Sequence, residues 1–185
     1  MKTPIIIITL DYEVFGSGSG DVRKFVIEPT DRLLKLLNTR KIKMTVFFEI
    51  EEFLAFRNHA NKLKTQLGYD PALMIEEQIK KILHNSHEIG LHIHPQWIGA
   101  TFEGNSFRLF SENQCLFDVY KNEEDLASYL NDRLVLLRDL VTKYDPSHKV
   151  ICFRAGAHAI RPEKLTLKVM ESLGLKADSS VVKGL

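Results

Sequence analysis

The pattern of hydrophobic and polar positions along the chain predicts short strands separated by longer helices. Runs rich in β-branched residues, or with apolar residues at every second position, predict strands at Ile5–Thr9, Lys43–Phe48 and Glu88–His94. Shorter runs predict two more strands, at Lys149–Phe153 and Leu175–Asp178. In the third strand the apolar residues share one face, so the histidines near its end lie on the other.

Apolar residues three and four positions apart predict helices between these strands. The predicted helices are Pro29–Leu37, Asp70–Leu83, Asn122–Tyr144 and Pro162–Leu173. Asp70 and Pro71 suit a helix start, because aspartate caps the free N–H groups and proline fits the first turn. Strands that alternate with helices pair in parallel through right-handed crossovers, which leaves an open doubly wound sheet or a (β/α) barrel.

Composition narrows the class of protein further. The 185 residues suit one domain, residues 1–185, and 44% hydrophobic with 26% charged residues is ordinary for a globular protein. With a net charge of +1, the chain offers no basic stripe to bind the phosphates of a nucleic acid, so we expect no nucleic-acid partner. The first apolar run is too short to span a bilayer. The two cysteines, Cys115 and Cys152, suggest neither a disulfide framework nor a thiolate metal site. A cytoplasmic location is expected.

Two strand ends carry groups that bind metals. In parallel α/β folds the carboxyl ends of the strands form the usual ligand site. Asp11 and Glu13 follow the first strand and lie two positions apart, so they project from the same side if the extended conformation continues. The alternative is that they cap a helix or are solvated. His92 and His94 share a face at a spacing that suits two ligands of one metal, or are ordinary polar residues of an edge strand.

The remaining candidate residues each have a functional and a structural interpretation. Arg154, at the fourth strand end, could keep Asp11 ionised through a bidentate pair that lowers the pKa of Asp11, or be a surface arginine. His158 could act as an acid or cap the next helix. Trp97 could form an aromatic wall of the site or belong to the core. The segment Gly16–Gly20 is expected to be a flexible loop beside the site.

Several motifs together resemble the polysaccharide deacetylase family, carbohydrate esterase family 4. The matching segments occur in the family's order and at similar spacings: Ile8–Glu13, Thr45–Phe48, His87–His94, Phe153–Gly156 and, less closely, Gly174–Ser180. The resemblance is greatest to a subgroup with Asp-Tyr-Glu and His-x-His-Pro motifs. It implies an α/β fold with parallel strands forming a distorted or incomplete (β/α) barrel, from which this chain would lack the C-terminal part.

The resemblance also implies a chemistry, which is metal-dependent removal of acetyl groups from N-acetylated sugars. Asp11 matches the family's base. Tyr12 and Gln96 stand where the family has a metal-binding aspartate and its second histidine, so these two are expected to contact substrate together with Trp97.

The expected metal ligands are Glu13, His92 and His94. His94 is included because it shares a strand face with His92. Arg154 and His158 join Asp11 as expected catalytic residues. Zinc is the first expectation for the metal, with cobalt, manganese or nickel as alternatives.

Two other functions remain open. A deacetylase-like module without turnover could bind a glycan or a metal, which the departures at Tyr12 and Gln96 favour. A metal-dependent hydrolase of a small amide could use the same residues behind different pocket walls.

Overall fold

A five-stranded parallel sheet organises the computed structural model, which describes residues 5–14 and 21–181. In chain order the strands are Thr9–Tyr12 (β1), Thr45–Glu49 (β2), Glu88–Ile93 (β3), Thr101–Glu103 (β4), Ser106–Arg108 (β5), Cys152–Ala155 (β6) and Ala177–Asp178 (β7). Strands β4 and β5 form a separate antiparallel hairpin. All neighbours in the main sheet are parallel, as the alternation of strands and helices predicts.

Helices connect the strands of the main sheet. The α-helices are Glu28–Thr39 (α1), Ile50–Asn58 (α2), Ala60–Leu67 (α3), Pro71–His84 (α4), Leu116–Val119 (α5), Glu123–Thr142 (α6) and Glu163–Ser172 (α7). A π-helical segment, Arg23–Ile27, leads directly into α1. The predicted helix starts are confirmed at α4 and α6, where the side chains of Asp70 and Asn122 accept hydrogen bonds from the first turn. Within the described ranges, no helix combines the length and apolar character needed to cross a bilayer.

The order of the strands is that of an incomplete barrel. The sheet runs β1-β2-β3-β6-β7, so each new strand is added on the same side of the previous one. Right-handed crossovers then place the connecting helices against a single face, as in a (β/α) barrel and unlike a doubly wound sheet. In the part of the chain that the structure describes, β1 and β7 remain the two edges and the barrel is open.

One face of the sheet forms the core and the other carries polar groups. Tyr12, Phe48, Leu91 and Phe153 lie side by side in register and are all buried. Because side chains alternate along a strand, the neighbouring positions point to the opposite face. These include the row formed by Glu49, His92 and Arg154 near the carboxyl ends of the strands.

Four of the five predicted strands begin later than their apolar pattern predicts, and the shift is largest for the first and the fourth. The first begins at Thr9, and Ile5, Ile6 and Ile7 are between 75% and 88% exposed rather than buried. Its partner β2 begins at Thr45, opposite Thr9, so the preceding isoleucines have no strand beside them among the described residues. The fourth predicted strand also shifts, from Lys149–Phe153 to Cys152–Ala155, because its partners in β3 are Leu91–Ile93. Periodicity alone does not fix this register.

Some segments were not predicted, and one prediction falls where the structure gives no description. Helices α2 and α3 and the β4–β5 hairpin have no counterpart in the sequence prediction. The predicted loop Gly16–Gly20 lies outside the described residues.

Candidate metal centre and catalytic site

The carboxyl ends of β1 and β3 bring three predicted metal ligands together. Glu13 follows β1, His92 lies in β3 and His94 follows it. The Oε2 atom of Glu13 lies 3.4 Å from Nε2 of His92 and 3.4 Å from Nε2 of His94. Two ligands on a tetrahedral ion with bonds of about 2.1 Å would be about 3.4 Å apart, so these separations suit a divalent metal.

The hydrogen bonding of His92 leaves one ring nitrogen free for a ligand bond. Nδ1 of His92 lies 2.7 Å from the carbonyl oxygen of Arg154, which can only accept, so Nδ1 carries the proton and donates. Nε2 is buried and has no hydrogen-bond partner within the described part of the chain. A metal-binding histidine usually donates its second ring N–H to a carbonyl or carboxylate in this way. The residues present therefore fit a divalent metal.

Charges within the cluster shift the pKa values of its members. Burial raises the pKa of Glu13, but the adjacent imidazoles of His92 and His94 outweigh this effect, and the net pKa lies below the usual value. Burial lowers the pKa of His94, which favours its neutral form. A metal requires deprotonated ligands, so both shifts favour the ligand-competent state.

Glu49 is a fourth member of the cluster that the sequence prediction missed. It is the last residue of β2, is 2% exposed, and lies beside His92 in register. One potential ligand atom from each of Glu13, Glu49, His92 and His94 lies within 4.8 Å of the others. Burial raises the pKa of Glu49 well above its usual value, and nearby glutamates including Glu13 raise it further. Its position directly after the Thr45–Phe48 motif, at a strand end, was the available sequence signal.

A glycine makes room for one of the imidazoles. A Cβ atom on Gly156 would lie 1.9 Å from Cδ2 of His94, which no real contact allows. The ring of His94 therefore packs directly against the backbone that follows β6.

Asp11 and Arg154 meet as the sequence predicts, but not through a bidentate pair. Nη1 of Arg154 lies 2.5 Å from Oδ1 of Asp11. Nη2 donates instead to the hydroxyl groups of Thr9, at 3.1 Å, and Ser179, at 2.7 Å. The guanidinium also lies 4.2 Å from the centre of the Phe47 ring. Arg154 is thus held by several contacts and fixes one oxygen of Asp11, while the other oxygen makes no hydrogen bond to the described residues.

Two predicted substrate-binding residues belong to the core. Tyr12 is 3% exposed, and its hydroxyl donates to Oε1 of Gln78 at 2.7 Å. Because Asp11 and Glu13 point towards the site, strand alternation turns Tyr12 to the opposite face. Trp97 is also 3% exposed, and its ring packs against Phe56 and Phe107 at centroid distances of 6.0 and 5.2 Å. Both rings therefore lie in the core, whereas the sequence analysis expected Tyr12 and Trp97 to contact substrate, with Trp97 as an aromatic wall.

Two other predicted residues are not members of the four-residue cluster. Gln96 is partly buried, and its Oε1 has no hydrogen-bond partner among the described residues. His158 is exposed and lines a separate cavity of about 350 Å³ together with Arg161 and Ser180. Contact of Gln96 with substrate and action of His158 as an acid stay predictions.

The sheet and its helices have a fold like that of solved structures from carbohydrate esterase family 4 (CE4). One matching solved structure is a mutant of a CE4 family pseudoenzyme with restored enzymatic activity, at 14% identity and a TM-score of 0.50. The match covers 94% of this chain and 43% of that chain, so this chain spans less than half the length of the matched structure.

The wild-type CE4 family pseudoenzyme from Bacillus anthracis matches at 14% identity with a TM-score of 0.48, over 93% of this chain and 42% of that chain. No protein-family profile matches the sequence, and no curated protein matches it significantly. The CE4-like fold that the sequence motifs implied is confirmed.

Proposed function

We propose that this chain is a metal-dependent hydrolase that removes the acetyl group from an N-acetylated sugar or a related amide. The observation that carries the proposal is the convergence of Glu13, His92 and His94, where Nε2 of His92 is buried and makes no hydrogen bond to any described residue. A divalent metal bound there would supply Lewis-acid polarisation of the acetyl carbonyl and acidification of a water molecule. The CE4-like fold supports the acetylated-sugar substrate class by analogy.

The chain's own residues would then position the reactants and move a proton. Asp11 accepts the proton of the attacking water, because Arg154 holds one of its oxygens and leaves the other available. Glu13, His92 and His94 hold the metal. The departing amine needs a proton donor, for which His158 is the candidate in this chain.

A CE4-like module that binds a glycan or metal without turnover is the second candidate. It is favoured by the core position of Tyr12, which stands where the resemblance places a metal-binding aspartate. Against it stands the pair of Asp11 and Arg154, which a binding module does not need. A hydrolase of a small amide would use the same groups, so the choice between amide substrates rests on assay.

The first experiment measures metal content and acetate release together. We expect one divalent metal per chain in the wild-type protein and almost none in the His92→Ala/His94→Ala double variant. Asp11→Asn should keep the metal but lose roughly a hundredfold or more in acetate release from N-acetylglucosamine oligomers, because a general base contributes about 10²–10⁴.

The outcomes separate the candidate functions. Metal binding without release of acetate from any acetylated sugar or small amide would favour the binding module. Absence of metal binding after supplementation with zinc, cobalt and manganese would contradict the hydrolase. Full activity in Asp11→Asn would remove Asp11 as the base.

A further inference from the structure

Glu49 lies within the metal cluster, close enough to Glu13, His92 and His94 to share one metal ion with them. It ends β2 between the strands that supply Glu13 and His92, and its carboxyl group is buried with theirs. Sequence motifs gave it no role, and the CE4 resemblance implies only one carboxylate with two histidines. A buried glutamate among three potential ligands therefore needs an explanation of its own.

Backbone hydrogen bonds fix the position of the Glu49 carboxyl group. Oε2 accepts from the backbone N–H of His94 at 2.6 Å, and Oε1 accepts from the backbone N–H of Glu51 at 3.0 Å. A carboxylate oxygen has two lone pairs, so each oxygen retains one after these bonds. The group is held rigidly and still has free acceptor capacity within the cluster.

Charge balance favours a cation at this position. Glu13 and Glu49 are two carboxyl groups in a largely buried cluster, and two uncompensated buried charges of the same sign are costly. The guanidinium of Arg154, which lies opposite His92 in register, is engaged with Asp11, Thr9 and Ser179. A divalent ion between the two glutamates would balance both.

We propose that Glu49 is a fourth protein ligand, so that two imidazoles and two carboxylates hold the metal. The proposal rests on the proposed metal-dependent function and specifies its metal site further. Four protein ligands fill a tetrahedral ion completely, whereas a hydrolytic site must keep a position open. A metal held by all four residues would therefore need a fifth or sixth position for water, which would favour cobalt, manganese or nickel over tetrahedral zinc.

Cobalt(II) tests this proposal, because its visible absorption reports its coordination. Tetrahedral cobalt absorbs strongly and six-coordinate cobalt weakly. We expect the cobalt-loaded wild-type protein to show the weak five- or six-coordinate spectrum. Glu49→Gln keeps an oxygen that can accept the N–H of His94 but removes the charged ligand, so it should bind cobalt at least roughly tenfold more weakly and with an altered spectrum.

Glu51→Gln is the matched control. Glu51 is also buried and lies two positions away, but its carboxylate accepts from Tyr129 at 2.8 Å and pairs with Arg133 instead of facing the cluster. It should leave the cobalt spectrum unchanged even if it lowers stability. Identical affinity and spectrum for wild type and Glu49→Gln would overturn the proposal and reduce Glu49 to a support for the backbone of His94.

The wild-type spectrum keeps the test valid if Glu49→Gln does not fold. A strongly absorbing tetrahedral wild-type spectrum would contradict four protein ligands with an open position, while leaving the proposed hydrolase intact. Failure of wild-type protein to bind any divalent ion would instead contradict the proposed function itself.

Discussion

At the scale of single residues, Gly156 shows how a missing side chain shapes the site. The ring of His94 occupies the space where a Cβ would project. In Gly156→Ala the ring must move, so we expect metal affinity to fall roughly ten- to a hundredfold, the range typical of disturbed ligand support. The free energy of unfolding should fall by about 1–3 kcal/mol. Calorimetric titration with cobalt measures the first effect and urea unfolding the second.

Gly90→Ala is the control for this substitution. Its added Cβ would meet the backbone oxygen and Sγ of Cys152 at 3.0 Å, within the sheet and not against His94. It should lower stability while leaving metal affinity nearly unchanged. Equal losses of affinity in both variants would mean that the effect of Gly156 is general loosening of the sheet.

Glu52 is a buried carboxyl group whose protonation should make stability depend on pH. Both of its oxygens lie within 2.9 Å of the backbone nitrogen of Val14, which follows Glu13. Burial raises the pKa of Glu52 from its usual 4.5 to about 8, and the charge of Glu13 adds to this, although the hydrogen bond from Val14 opposes it. In the folded protein the group is therefore neutral near pH 7.

The sign of the pH effect follows from proton binding. Between the unfolded pKa of 4.5 and the folded pKa of about 8, the unfolded chain has released the proton that the folded chain keeps. Stability from this group is thus highest below the unfolded pKa and falls as pH rises through this window, by at most about 1.4 kcal/mol per unit.

Glu52→Gln tests this prediction because it removes the titrating group and keeps an acceptor for Val14. We expect the free energy of unfolding of the variant to rise relative to wild type between about pH 5 and about pH 8, measured by urea unfolding across that range. A difference between the two proteins that does not change with pH would show that Glu52 titrates equally in the folded and unfolded states.

At the scale of elements, the first turn of α2 concentrates buried acidic groups. Glu49 caps this helix, and Glu51 and Glu52 follow within it. The N-terminus of a helix favours negative charge, which offsets part of the cost of burying these groups. Each glutamate contacts a different part of the molecule. Glu49 belongs to the metal cluster, Glu51 bonds to helix α6, and Glu52 bonds to the chain after β1.

The β4–β5 hairpin depends on an aromatic cluster that includes Trp97. Its ring contacts Phe107 of the hairpin and Phe56 of α2. Trp97→Ala should lower the free energy of unfolding by about 3–5 kcal/mol, because a large buried ring leaves a cavity. Urea unfolding measures this loss.

The control for Trp97→Ala is Leu73→Ala, at a position that is 58% exposed on α4. It should change stability by no more than about 0.5 kcal/mol, because surface substitutions remove little packing. If the Trp97→Ala protein were as stable as the wild type but bound substrate more weakly, Trp97 would be a substrate-binding residue and not a core residue.

At the scale of the whole molecule, metal binding should stabilise the fold. The proposed ligands come from β1, β2 and β3, so the metal would link three strands of the sheet. A ligand that binds only the folded state at about a hundred times its dissociation constant adds about 2.7 kcal/mol. We expect urea unfolding of the cobalt-loaded protein to occur at higher denaturant than unfolding in chelator.

The His92→Ala/His94→Ala double variant controls for general effects of cobalt. It should unfold at the same denaturant concentration with cobalt and with chelator. Equal stabilisation of the wild type and the double variant would place the bound metal elsewhere on the protein.

The sequence alone determined the type and order of most elements and the location of the site. Alternation with period two in Glu88–His94 and helical spacing in Asn122–Tyr144 are local signals, and the structure confirms both. Parallel pairing follows from the alternation of strands and helices, and it places strand ends at one edge. Asp11, Glu13, His92, His94 and Arg154 could therefore be predicted as neighbours.

Only the tertiary structure decided which side chains reach that site and where the strands begin. Glu49 joins the cluster because β2 lies between β1 and β3, and Trp97 leaves it because Phe56 and Phe107 cover its ring. Ile5–Ile7 are exposed because the neighbouring strand starts opposite Thr9. Hydrophobic periodicity reports the local conformation of a segment, whereas burial and strand register depend on partners that are distant in sequence.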